Sequence, residues 1–272
     1  MKNILKILPL VLLSLSACEE VIVLELDSAE QRVVLEADLD AGKGVCAVYL
    51  RKSGDFYQSN DFERISDADV FLRTPQGEQL LPLYSEGFYY LEGIQVQPGD
   101  TVSLRVQLAD GQVINASPAK TPYPVSLDSL ILEETLSGGP GPGGGNPNNG
   151  EKQFSLSFQW QDRAGSSDNY RLKVFRNGRY ESEIYGLTDD RLGDGDQITR
   201  PIIRNTYALG DTLRCQLLSS DIAYYNYFTD IANSDGRGFS SPTPYNPRTS
   251  LSGNALGYFG VWYLSEKIVV VR

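Results

Sequence analysis

Alternation of apolar and polar residues, repeated along the chain, limits its possible folds more than any other feature. Leu35, Ala37 and Leu39 alternate with Glu36, Asp38 and Asp40. Val102, Leu104, Val106 and Leu108 alternate with Ser103, Arg105 and Gln107, and Phe154, Leu156, Phe158 and Trp160 with Ser155, Ser157 and Gln159. A side-chain period of two sends every second residue to the same face, so each run predicts a strand with one face on a core and one toward water. Asp110-Gly111 and Asn177-Gly178 tolerate the positive φ of hairpin turns, and Pro75-Gln76-Gly77 and Pro98-Gly99-Asp100 are further turn candidates. Many short strands separated by turns favour stacked antiparallel sheets over alternating helices and parallel strands. The expected fold class is all-β, with two β-sandwich domains of immunoglobulin-like or prealbumin-like type.

One helix interrupts the pattern. Ser219, Ser220 or Asp221 offers a cap, Ile222, Tyr225, Phe228 and Ile231 follow at helical spacing, and Gly236 and Gly238 stop it. The prolines at 242, 244 and 247 then enforce an extended segment, and a closing strand is expected over Ile268–Val271. Residues 138–150 contain only Gly, Pro and Asn, a composition that buries no apolar surface and reads as a long loop between strands. The expected organisation is a signal peptide at 1–17, a tether at 18–30, one sandwich over 31–121 and a second, containing the helix and the loop, over 122–272. Gly99-Asp100-Thr101-Val102 recurs as Gly210-Asp211-Thr212-Leu213, each time opening an alternating run. Two related sandwiches or a common turn solution both account for this repeat.

The first eighteen residues concern location. Lys2 and Lys6 precede an apolar run, Ile7–Leu15, that is shorter than the roughly 20 residues a spanning helix needs. It ends in Leu15-Ser16-Ala17-Cys18, which resembles a bacterial lipobox, so Cys18 is the expected lipidation site and new N-terminus. Two or three acyl chains hold a protein stably at a bilayer where one chain is marginal. Glu19 and Glu20 follow at once, resembling a surface-export signal, and serve equally as a solvated tether. Losing Lys2 and Lys6 takes the formal charge from −11 to −13.

Composition removes several chemistries. With no histidine, the chain builds no Ser–His–Asp or Cys–His nucleophile and no imidazole–zinc site. Its acidity argues against nucleic acid, since neutralising phosphates takes clustered Lys and Arg. Glu133-Glu134 and Asp189-Asp190 are acidic pairs, but neighbours on a strand point to opposite faces, so neither makes a facing pair for glycoside hydrolysis. No enzyme activity and no cofactor are expected. Asp189, Asp190, Asp194 and Asp196 form a Gly-bent acidic stretch; a solvated turn is the default reading and a Ca²⁺ site the weaker one, because the spacing departs from the EF-hand and Arg191 opposes it. Cys46 and Cys215 fall in register with apolar neighbours and are expected to be separate buried thiols, although the compartment permits a disulfide. Tyr224, Tyr225 and Tyr227 are candidate ligand or partner contacts, because aromatic rings stack on sugars and tyrosine is enriched at interfaces. Phe259 and Trp262 are expected to pack in the interior.

Taken in order, the lipobox, Cys18-Glu19-Glu20-Val21, Arg32-Val33-Val34-Leu35-Glu36-Ala37, Ser66–Leu72 with Gly87-Phe88-Tyr89, and the tail Pro244-Tyr245-Asn246-Pro247 with Ser252–Phe259 resemble a Bacteroidota outer-membrane lipoprotein family, the domain of unknown function 4249 family. The resemblance spans nearly the whole chain, with the tail its most specific part. Ser250-Leu251 stands where the family usually has an Asn-Ile pair, and the Gly/Pro/Asn loop is this chain's own. The resemblance implies a β-rich lipoprotein of the outer membrane, facing the cell exterior and acting with a TonB-dependent transporter in substrate capture or assembly, with no catalytic residues to carry over. The alternative is an independent surface lipoprotein that binds glycans or peptides.

Overall fold

The computed structural model describes residues 31–54, 62–135, 152–181, 186–191, 193–203, 205–234 and 246–272. Cys18, Glu19, Glu20 and the 138–150 loop lie outside them. The strands of the first half are β1 (Val33–Asp40), β2 (Val45–Lys52), β3 (Asp69–Thr74), β4 (Gly77–Leu81), β5 (Leu83–Ser85), β6 (Phe88–Glu92), β7 (Thr101–Gln107), β8 (Val113–Asn115) and β9 (Ala119–Lys120). Those of the second are β10 (Ser129–Thr135), β11 (Gln153–Gln161), β12 (Asn169–Arg176), β13 (Arg179–Tyr180), β14 (Leu187–Asp189), β15 (Gln197–Pro201), β16 (Tyr207–Ala208) and β17 (Thr212–Ser220), followed by helix α1 (Ile222–Ser234) and β18 (Leu256–Val270).

The fold is all-β with one short helix, and its alternating runs behave as their period requires. Leu35, Ala37 and Leu39 enter a first core with Val102, Leu104 and Val106; Leu156, Phe158 and Trp160 enter a second with Leu172, Val174 and Leu217. Each valine, leucine and phenylalanine among them contributes about 1.5–3 kcal/mol on leaving water. The first core lies between the β4-β3-β7-β8 sheet and strands β1, β2 and β6; the second lies between the β10-β11-β15 sheet and strands β12 and β17.

The two sandwiches share a sheet. Nine strands run in the order β13-β12-β17-β18-β1-β2-β6-β5, with β14 added beside β12. β18 joins the halves: from Leu256 to Trp262 it pairs in parallel with β1, and from Trp262 to Val270 it pairs antiparallel with β17. Ala255, Phe259 and Val261 accordingly belong to the first core, so a split of the chain at residues 121 and 122 does not describe a split in space. The closing strand expected over Ile268–Val271 is 15 residues long and starts at Leu256. Its first half lacks alternation because both of its faces are covered, Phe259 by the first core and Tyr258 by the helix. Gly257 is required here: at φ +106° a Cβ would stand 1.9 Å from the Leu35 carbonyl oxygen.

The Gly-Asp repeat marks equivalent corners. Asp100 Oδ2 accepts from the Gln97 amide and Asp211 Oδ2 from the Ala208 amide, both at 2.8 Å. The amides of Gly99 and Gly210, at φ 90° and 87°, donate to the carbonyls of Thr121 and Val271, whose own amides return to Asp100 and Asp211. One turn opens the same strand of each sandwich.

Candidate functional site

The outer face of the shared sheet, away from the first core, carries the features of interest and is divided in two. One half lies under α1. Asp221 caps the helix, its Oδ1 accepting from the amides of Ala223 and Tyr224 at 2.7 and 3.2 Å, while Oδ2 accepts from the Val261 amide of β18 at 2.6 Å. Burial raises this carboxyl to about 6 despite those donors. Tyr224 packs into the notch left by Gly260, and Tyr258 and Phe228 crowd its ring at centroid distances of 5.7 and 4.6 Å. Arg171 donates to the Tyr224 hydroxyl at 2.8 Å and lies 3.6 Å from the centroid of the Phe228 ring. A desolvated cation over a ring contributes about 2 kcal/mol. Asp38 accepts from the Tyr258 hydroxyl and the Trp262 indole, each at 3.0 Å, and burial lifts its pKa against the pull of both bonds. Lys173 is depressed to about 8, chiefly by burial and secondarily by Arg171.

The other half of this face is open. In β2, Cys46, Val48 and Leu50 point into the core, so Ala47, Tyr49 and Arg51 point out; in β6, Tyr89 points in, so Phe88 and Tyr90 point out. Cross-strand pairing of Tyr49 with Phe88 stacks their rings at 4.5 Å and 23°. Tyr84 of the edge strand β5 stands edge-on to Phe88 at 5.8 Å and contacts Tyr90 at 5.9 Å. Tyr49 is 51% and Tyr84 73% exposed. Beside the rings opens a cleft of about 400 Å³ lined by Glu36, Arg51, Phe62, Arg64, Glu86 and Phe88, among others. Arg51 pairs with Glu36 at 3.2 Å and lies over the Phe62 ring at 4.9 Å.

A larger cleft, about 1090 Å³, lies where the 117–123 connection, the start of α1 and the loops around 163–169 and 189–191 meet. Arg163 covers the Tyr123 ring at 3.4 Å. The acidic stretch reaches this region, but its carboxylates divide differently from the expected set. Asp190 and Asp194 join Asp162, with oxygens of all three within 4.8 Å of one another. Asp189 instead pairs with Arg191 at 2.8 Å and accepts from the Tyr225 hydroxyl at 3.2 Å, and Asp196 is outside the group. Asp162 comes from the end of β11, far away in sequence, and only the fold delivers it. Each of the three already accepts hydrogen bonds: Asp162 from Tyr170 and the Gly195 amide, Asp190 from the Asp168 amide, Asp194 from the Gly165 amide. They tie the 162–168 turn to the 189–195 loop. Burial, aided by the Asp162 and Asp190 charges, raises the neighbouring Asp168 carboxyl.

The candidate tyrosines separate accordingly. Tyr224 is 1% exposed and belongs to the small core under the helix, so it offers nothing to a ligand. Tyr225 is half-buried at the large cleft, and Tyr227 is half-buried against Phe228 and Tyr258. The open aromatic group, Tyr49, Tyr84, Phe88 and Tyr90, was not among the sequence candidates. Its signal was present in the phase of β2, where Tyr49 falls opposite to Cys46, Val48 and Leu50. Phe259 is buried, and Trp262 is partly buried against the small core under the helix. Cys46 and Cys215 are free and buried in different cores.

Fold and face together define an all-β protein of two sandwiches joined through one sheet, half of whose outer face is an open aromatic surface. The chain belongs to the family described as Domain of unknown function (DUF4249), whose model matches residues 19–268. No curated protein matches it. Among solved structures it is similar to a two fibronectin type-III domain segment from chicken tenascin, at 14% identity over 70% of this chain and 91% of that one, with a TM-score of 0.20. At that score the superposition carries no weight, and the fold rests on the strand pairing above.

Proposed function

We propose that the chain is a lipid-anchored outer-membrane protein, facing the cell exterior, that captures substrate beside a TonB-dependent transporter or helps assemble it. The supporting observation is the open aromatic group on β2, β5 and β6: four rings held by strand pairing on a rigid sheet, where a surface meant only for water would be polar. The Lys2/Lys6, apolar-run, Cys18 order supports the anchor. The protein binds rather than catalyses, because the carboxylates gathered at the large cleft are committed to capping, ion-pairing and loop-tying bonds. Purification of the full chain from outer membranes in mild detergent is expected to recover a large β-barrel partner, and recovery of the lipoprotein alone would refute the transporter reading. Cys18→Ser is expected to release the chain from membranes; a variant still membrane-bound at unchanged mass would refute the anchor.

A further inference from the structure

The open aromatic face has a shape and a charge balance that select a ligand class. The 73% exposure of Tyr84 leaves ring surface in water, and Tyr49 adds to it. At about 150–250 Å² per aromatic side chain, the two expose roughly 200–300 Å². A stable protein partner needs about 800 Å² per side, whereas this area suits one or two sugar rings. The negatively polarised ring face attracts the C–H groups along one side of a pyranose. Hydroxyls at the sugar's edge need donors and acceptors, and the adjoining cleft supplies them: Arg51 and Glu36, already paired, with Arg64 and Glu86. Among the described residues lining the cleft, two guanidinium and two carboxylate groups balance one another. A neutral, hydroxyl-rich ligand meets both signs at once, while a polyanion is also repelled by the chain's net charge of −11.

We propose that Tyr49, Tyr84, Phe88 and Tyr90, with the Arg51–Glu36 cleft beside them, bind an uncharged glycan. This rests on reading the face as a capture surface and names what is captured; it does not require the transporter. Tyr84 stacks on a sugar ring, Tyr49 and Phe88 flank it, and Arg51, Arg64, Glu36 and Glu86 bond its hydroxyls.

The test is native affinity electrophoresis of the full chain in a polyoxyethylene detergent, through gels containing β-glucan, galactomannan, arabinoxylan or, as the acidic control, polygalacturonate. Retardation by at least one neutral polysaccharide and not by polygalacturonate is expected. Tyr84→Ala should weaken the apparent affinity about tenfold, the weight of one aromatic contact, and Tyr84→Phe should retain it. Tyr49→Ala is the second probe, and circular dichroism confirms that each variant is folded. Mobility unchanged by every neutral polysaccharide, equal retardation by polygalacturonate, or retardation untouched in a folded Tyr49→Ala/Tyr84→Ala double variant would each overturn the assignment. Glycan binding without a co-purifying barrel would sustain this inference while refuting the transporter reading, and a barrel recovered without glycan binding would do the reverse.

Discussion

Replacing Gly260 by Ala probes how the helix is seated on the shared sheet. Gly260 has no positive φ, so alanine brings no backbone strain, and its whole effect is tertiary. The added Cβ would stand 2.3 Å from Tyr224 Cδ2 and 3.0 Å from Tyr224 Cβ and Cγ, where carbon atoms prefer about 3.5–4.0 Å. The ring has little room to turn aside, because Tyr258 and Phe228 close on it and Arg171 holds its hydroxyl. Overpacking of this kind costs about 1–3 kcal/mol. Lifting the ring also breaks the bond to buried Arg171, whose Nε has no partner among the described residues, and a lost bond to a charged group adds roughly 1.5–3 kcal/mol. About 3 kcal/mol is therefore expected, or a fall in Tm of about 6–12 °C for a chain of this size. The assay is urea unfolding followed by tryptophan fluorescence, in a cycle with Tyr224→Ala, which alone should cost about 3–5 kcal/mol. Once the ring is gone only the Cβ at position 224 stays close, at 3.0 Å, so the double variant should be less damaged than the sum of the singles by about 2 kcal/mol. A Gly260→Ala cost below about 0.5 kcal/mol, the usual scale for surface changes, or strict additivity would refute the seating described here.

Asp221 gives a pH signature. Its folded pKa of about 6 lies above the usual 3.8, so the native state holds the extra proton between pH 4 and 6 and this group's contribution falls as pH rises through that window, by roughly 3 kcal/mol. Asp221→Asn removes this dependence, so its stability relative to the parent should rise from pH 4 to pH 7; parallel urea midpoints across that range would contradict the assignment. Burial pushes the Cys215 thiol up to about 12 and raises that of Cys46 as well, and thiolate is the reactive form. Neither should react with a disulfide reagent at pH 8 until denaturant is added, and prompt native labelling at either position, read by mass spectrometry, would show that its core is not closed as described.

Period-two alternation alone determined that the chain is all-β and which residues of β1, β7 and β11 face inward, because the pleat ties sequence parity to burial. Local chemistry determined the helix and narrowed its cap to Ser219, Ser220 or Asp221. The structure selects Asp221, whose bonds from the Ala223 and Tyr224 amides lie within three residues while the Val261 amide on β18 holds its other oxygen. The Gly-Asp repeat likewise encodes its own turn. Tertiary structure decided what depends on distant residues meeting. β18 was invisible over Leu256–Val261 because both of its faces are covered, which erases alternation. Asp162 joined Asp190 and Asp194 only through the fold, and Tyr224 went inside because Gly260, 36 positions later, leaves a notch for it. The open aromatic face arose in the same way: parity placed Tyr49 outward, but only the pairing of β2, β6 and β5 put Phe88, Tyr84 and Tyr90 beside it.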